Sequence, residues 1–199
     1  MPYLNRRTSV FYGIVIPLLL LIVVGGTGIA AFADSGVHAK AVVKGGTLSL
    51  RGFNSGAKSI TVGTKKTAQT STYTLSLVIV DARGNGGGWN LTITSTQLST
   101  GGASPHTLAT NASTINASPK TVCTNNTTCT LPVNLVSYVH PLAVPAGPKA
   151  PAAIKFYSAA ARTGLGSFTI TPMITIAIPA NTYAGVYSSI ITVTIVSGP

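Results

Sequence analysis

Apolar and polar residues alternate with a period of two at several places along this chain, the spacing of a β-strand with one buried and one wet face. Tyr73, Leu75, Leu77 and Ile79 alternate with Thr74 and Ser76 before Val78 and Val80 make the far end apolar on both sides, as in a strand entering a core. Asp81 closes that run. Arg83-Gly84-Asn85-Gly86-Gly87-Gly88 follows, and then Trp89, Leu91 and Ile93 alternate with Asn90, Thr92 and Thr94. This arrangement predicts a hairpin, with glycine supplying positive φ at the reversal. A phosphate-binding loop would need a helix after the glycines, and a strand pattern follows instead.

Two longer alternating runs, Phe168 to Ile178 and Val186 to Val196, flank a turn-rich segment from Pro179 to Gly185 and are expected to pair antiparallel. On the second run Tyr187, Ile191, Val193 and Ile195 share one face, and Ser188, Thr192 and Thr194 share the other. Weaker strand signals lie at Thr47 to Arg51 and Ser59 to Val62. The stretch from Asn54 to Thr72, with Lys58, Lys65 and Lys66 among Gly, Ser and Thr, is expected to be exposed. Gln97 to Thr121 reads as a long surface excursion, and short β-like runs bracket Cys123 and Cys129. His140 to Pro151, rich in Pro and Ala, is unsuited to a central strand. Ala152 to Gly166 has helix-compatible spacing and is read as either a short helix near 152–162 or another loop. No heptads or longer repeats occur. These elements predict an all-β protein, a single Ig-like antiparallel β-sandwich over residues 34–199. Residues 34–72 would supply an N-terminal strand and a basic exposed segment, and 73–199 the main body.

Composition narrows the function. Only 8% of the residues are charged and 45% are hydrophobic, with Thr, Ser, Asn and Gly making up much of the rest, so the chain does not have the profile of a disordered protein. Asp34 and Asp81 are the only acidic residues, against 13 Lys and Arg, which excludes most acid–base chemistry and gives a formal net charge of +11. His38, His106 and His140 lack ligand spacing, a nucleophile motif and an acid partner, so no enzyme activity, cofactor or metal is expected. The natural partners of such a charge are anionic polymers.

The N-terminus says which ones. Arg6 and Arg7 precede an apolar run from Phe11 to Val24, a Gly25-Gly26-Thr27-Gly28 break and Ala31-Phe32-Ala33, the layout of a signal peptide over residues 1–33 cleaved after Ala33. The alternative is an uncleaved membrane anchor, since Phe11 to Ala33 is 23 mostly apolar residues. Without Arg6 and Arg7, eleven Lys and Arg face two acids, a formal net of +9. For a secreted protein of this charge, wall polymers such as teichoic acid, or anionic lipid surfaces, are the expected partners at the cell surface rather than nucleic acid. Two cysteines in an exported chain argue for one disulfide, Cys123 to Cys129, with a metal site as the alternative.

Two blocks carry a resemblance. Val80-Asp81-Ala82-Arg83-Gly84-Asn85-Gly86-Gly87-Gly88-Trp89-Asn90-Leu91-Thr92 resembles the strand, D-x-R-G, glycine and W-x-L signature of the WxL domain of Gram-positive surface proteins. The chain end resembles that family's Y-x-x-x-L-x-W-x-L-x-x-x-P, with Tyr187, Ile191, Ile195 and Pro199 at the matching spacing after Ala180-Asn181-Thr182-Tyr183-Ala184-Gly185. Val193 stands in place of the second tryptophan, and the cysteine loop is atypical. The resemblance implies a β-sandwich displayed outside the cell and held to peptidoglycan without a covalent link. It makes Trp89, Leu91, Arg83, Asp81 and Tyr187 the candidate ligand-binding residues.

Plainer roles compete for each of these. Trp89 suits a buried hairpin aromatic, and Asp81 with Arg83 suits a local ion pair at a turn. An indole at a strand start can also pack one face on the core and stack the other on a sugar. The sequons at Asn90, Asn111, Asn116, Asn125 and Asn126 are those that a Thr- and Asn-rich composition generates by chance. A second function class, a structural subunit of a surface fibre or coat, is suggested by the few charges and the long Thr/Ile strands. It would self-associate, or join other surface proteins, by pairing strand edges.

Overall fold

A computed structural model describes residues 44–53, 55–124, 127–137 and 139–199. The signal segment expected over residues 1–33, its alternative as an anchor, and Asp34 and His38 lie outside the described residues. The alternating segments form strands, and no helix occurs among the described residues, so none crosses a membrane. In chain order the strands are β1 (Leu48–Gly52), β2 (Ser55–Val62), β3 (Gln69–Thr74), β4 (Leu77–Asp81), β5 (Trp89–Thr96), β6 (Ser113–Ile115) and β7 (Lys120–Cys123). They continue with β8 (Cys129–Thr130), β9 (Leu142–Ala143), β10 (Ala146–Gly147), β11 (Ile154–Ala159), β12 (Leu165–Thr171), β13 (Met173–Ile178) and β14 (Gly185–Ser197).

One sheet has the order β1-β4-β12-β7, with β8 also on β12, and a second has the order β3-β13-β6-β9. β3 runs into β4 and β12 into β13, and the Leu75 N–H donates to the Pro172 carbonyl at 3.1 Å where the two pairs meet. These sheets therefore continue one another as a single layer, interrupted where Pro172 has no N–H to give. The facing layer has the order β10-β5-β14-β2, with β11 also on β5. Leu77, Ile79, Phe168 and Ile170 from one layer meet Leu91, Ile93, Ile191 and Val193 from the other in a core that also takes in Ile115, Phe156 and Ile174. A second cluster around Ile176, Ile178, Leu98, Leu108 and Tyr187 fills the other end. Burying each large side chain stabilises the fold by roughly 1.5–3 kcal/mol, which is why the strand pattern follows the apolar positions.

The all-β sandwich expected from the alternation is present, and the described residues belong to one compact unit, Val42–Pro199. Three local expectations are corrected. β4 and β5 are not a hairpin: β4 pairs with β1 and β12, and β5 with β10, β11 and β14, so the glycine-rich connection carries the chain from one layer to the other. The two C-terminal runs do not pair either. Pro172 splits the first into β12 and β13, and β14 pairs with β2 and β5 in the opposite layer. The segment read as helix or loop is strand β11, whose Phe156, Tyr157, Ser158 and Ala159 are all buried, so no alternation marks it. The basic stretch from Asn54 to Thr72 contributes all of β2 and part of β3, and its described residues are mostly exposed, as expected, with Val62 buried.

Candidate functional site

The glycine-rich connection is organised by one ion pair. Asp81 ends β4 at 2% exposure, and Arg83 meets it at two points, Nε to Oδ1 at 2.9 Å and Nη2 to Oδ2 at 2.8 Å. The Arg83 backbone N–H adds a bond to Oδ1 at 3.1 Å. Burial alone would raise the Asp81 pKa. The hydrogen bonds and charge of Arg83 outweigh it and hold the carboxyl below its ordinary value. The same guanidinium donates to the Gly88 carbonyl at 2.7 Å and to the Ser197 hydroxyl. One arginine thus ties the end of β4, the start of β5 and the end of β14 together.

Trp89 is fully buried. Its ring lies between Tyr157, at 5.6 Å and 10°, and Phe168, at 5.5 Å and 19°, and its Nε1–H donates to the Gly164 carbonyl at 3.0 Å. The indole therefore has no open face for a sugar. Leu91 is as deep, and Tyr187 is buried at the other end of the core with its hydroxyl on the Tyr183 carbonyl at 3.0 Å. Burial also raises the Tyr187 pKa.

The two blocks that carry the resemblance lie side by side. Trp89 sits opposite Ser197, Leu91 opposite Ile195 and Ile93 opposite Val193. The Gly198 N–H donates to the Gly88 carbonyl at 3.1 Å, and Asn90 Nδ2 donates to the Gly198 carbonyl at 2.8 Å, so the amide of that sequon is spent inside the fold. Of the five candidate ligand residues, Asp81, Arg83, Trp89 and Leu91 converge on this junction, whereas Tyr187 belongs to the other end. Sequence reading missed Tyr157, Phe168, Gly164 and Ser197, because nothing local marks a stacking partner more than sixty residues away.

Cys123 and Cys129 form a disulfide. Cys123 pairs with Phe168 and Cys129 with Gly166, so the bridged loop begins and ends against the same strand, β12.

The ionised side chains exposed among the described residues have one sign of charge. Among the described residues Asp81 is the only acidic side chain, and it is committed to Arg83. Lys44 and Arg51 at β1, Lys65 and Lys66 between β2 and β3, Lys120 on β7, Lys149 and Lys155 around β11, and Arg162 are all exposed. Lys58 is half-buried, its ammonium 5.4 Å from the Phe53 ring centre and 5.6 Å from that of Tyr73. Among the described residues no group of His, Cys, Asp and Glu is placed to hold a metal.

A cleft of about 560 Å³ opens beside β14, between the chain that follows β5 and the chain that follows β10. Its lining, which includes Ala57, Thr96, Gln97, Ser99, Ser188 and Ile190, holds no ionisable side chain. Sequence reading did not find it, since its residues come from four separate segments of small, common types. No protein-family model, curated protein or solved structure matches the chain.

Proposed function

We propose that this is an exported cell-surface protein whose β-sandwich attaches without a covalent link to the cell wall, to peptidoglycan or the anionic polymers associated with it. The observation that carries the reading is the one-signed surface: the single described carboxylate side chain is buried against Arg83, so every exposed ionised side chain described is Lys or Arg. Cations spread over many elements suit a polymer with repeated charges, which can meet several of them at once, better than one compact anion. The disulfide fits an oxidising compartment outside the cytoplasm, and the signal-like N-terminus provides the route there. The two blocks resembling a WxL domain are adjacent, as a shared motif region would be. Their aromatic residue is a core residue here, which shifts the binding role to the surface. The reading assigns no catalysis and no cofactor.

The test is co-sedimentation with intact sacculi and with sacculi stripped of anionic polymers. Binding to intact sacculi is expected, falling sharply after stripping; no sedimentation with either overturns the proposal.

A second reading, a subunit of a surface fibre, is favoured by one feature. Leu131, Val133 and Leu135 stand exposed along an extended segment that pairs with β11 through Val133 and Leu135, making an apolar stripe at a sheet edge. Size-exclusion chromatography separates the two, since a monomer at high concentration removes the fibre reading.

A further inference from the structure

We infer that the cleft beside β14 is a binding site for an uncharged glycan segment, separate from the cationic surface. The fold builds it through a register change. Ile191 pairs with Ser95, but the next contact joins Ser188 to Ser99, so three steps along β14 match four along the other chain. The extra residue makes a bulge between Thr96 and Ser99, after which Ser99 and Ser188 exchange backbone hydrogen bonds at 3.1 and 2.8 Å. On the other side, the Gln97 N–H donates to the Gly147 carbonyl at 2.7 Å, which places Pro148 as the opposite wall.

Three properties define the ligand. The first is charge: no lining group is ionisable, so, with every exposed ionised side chain among the described residues a cation, an anion is drawn elsewhere and this cleft favours a neutral molecule. The second is the mixture of surfaces. Ile190, 52% exposed, lines the cleft with Ala57, Pro105 and Pro148 as apolar surface, while Thr96 and Ser99 contribute hydroxyls. Thr96 Oγ1 accepts the Ile190 N–H at 2.8 Å and Ser99 Oγ accepts the Gly101 N–H at 3.1 Å, which leaves each hydroxyl proton to donate. Fixed hydroxyl donors on an apolar floor complement a pyranose ring, which has apolar faces and a hydroxyl rim. The third is position. β14 is bonded to β2 on one side and β5 on the other, so an extended peptide finds no open strand edge here, and a sugar needs none.

An aromatic pair adjoins the site. His106, between the lining residues Pro105 and Thr107, stacks on Tyr183 at 3.8 Å and 10°, and Tyr183 as a residue is 66% exposed. Exposed rings of this kind offer a further sugar a stacking face.

The inference deepens the wall-attachment reading by naming the ligand class of one site, and its test is independent of that reading. The full chain is titrated with uncharged cello-, xylo- and N-acetylchito-tetraose at about 1 M NaCl, where the Debye length is about 3 Å and surface charge is screened. Saturable binding of at least one oligosaccharide is expected, weakened at least about tenfold by Ile190→Arg or Ala57→Arg, each of which drives a charge into the cleft. Lys65→Ala with Lys66→Ala should leave it unchanged. Both arginine variants alter exposed side chains, and unchanged Trp89 fluorescence certifies their fold. Absence of binding by all three sugars, binding indifferent to both variants, or variant-sensitive binding of tetra-alanine in place of the sugars overturns the inference. Sacculus binding at low salt without oligosaccharide binding would sink this inference and leave the wall reading standing; the reverse result would do the opposite.

Discussion

Arg83 grips Asp81 at two points, 2.9 Å and 2.8 Å, and also donates to the Gly88 carbonyl and the Ser197 hydroxyl. The carboxylate is buried and the guanidinium is its only charged partner among the described residues, so the pair is a joint between layers and not a surface ornament.

Arg83→Ala leaves that carboxylate buried and uncompensated, and should cost about 3 kcal/mol, read by denaturant unfolding at neutral pH. Asp81→Asn leaves no charge in the fully buried position and strands only the guanidinium, which is partly exposed and keeps its bonds to Gly88 and Ser197, so it should cost less.

The same pair sets the acid limit. Because Asp81 is depressed in the folded chain, the unfolded chain binds its proton more readily. The stability this provides is complete above the ordinary value of 3.8 and drains as pH falls through the lower folded value. Asp34 is the only other acidic residue, so Asp81→Asn should flatten nearly the whole acid branch of the stability profile. Thermal unfolding followed from neutral pH to about pH 2 checks it.

Trp89, stacked between Tyr157 and Phe168, should emit as a buried indole and resist quenching by iodide, with or without sacculi. Trp89→Ala should cost about 3–5 kcal/mol in unfolding experiments. A quencher-accessible indole would contradict its placement.

Gly88 has φ +66, and a Cβ there would lie 2.6 Å from the Ala159 carbonyl oxygen. Gly88→Ala should therefore destabilise by more than the usual glycine-to-alanine strain, at least about 2 kcal/mol, whereas Gly84→Ala, which meets only open space, should cost about 1 kcal/mol. Comparing the two unfolding midpoints separates contact from conformation.

The disulfide closes a loop of only a few residues, so Cys123→Ser with Cys129→Ser should cost about 2 kcal/mol and leave the sandwich folded. Circular dichroism and the unfolding midpoint under reducing conditions test this.

What the sequence made legible was which residues face inward, because alternation reports burial directly. Tyr187, Ile191 and Val193 are buried along β14 while Ser188, Ile190 and Thr194 are exposed, as period two requires. Partners were not legible. Alternation fixes a face and says nothing about which strand lies alongside, so β4 and β5 looked like a hairpin when Asp81 and Trp89 begin and end a crossing between layers. β11 was hidden for the opposite reason: with both faces covered it has no polar beat, and its Ala and aromatic spacing imitates a helix. Four of the five candidate ligand residues, Asp81, Arg83, Trp89 and Leu91, meet at one junction and Tyr187 does not, and sequence has no means of distinguishing an indole that packs from one that binds. The cleft depends on a one-residue register change between Ser95 and Ser99, invisible to composition.

The central claim is that a surface on which every described ionised side chain is cationic holds the chain to an anionic wall. The most direct measurement is the affinity of the full chain for intact sacculi across a salt series from about 50 mM to about 1 M NaCl, where the Debye length contracts to about 3 Å. Affinity should fall steeply as salt rises, and Lys65→Ala with Lys66→Ala should make that fall shallower. Tight binding that salt leaves unchanged would contradict the account, as would no binding at the lowest salt.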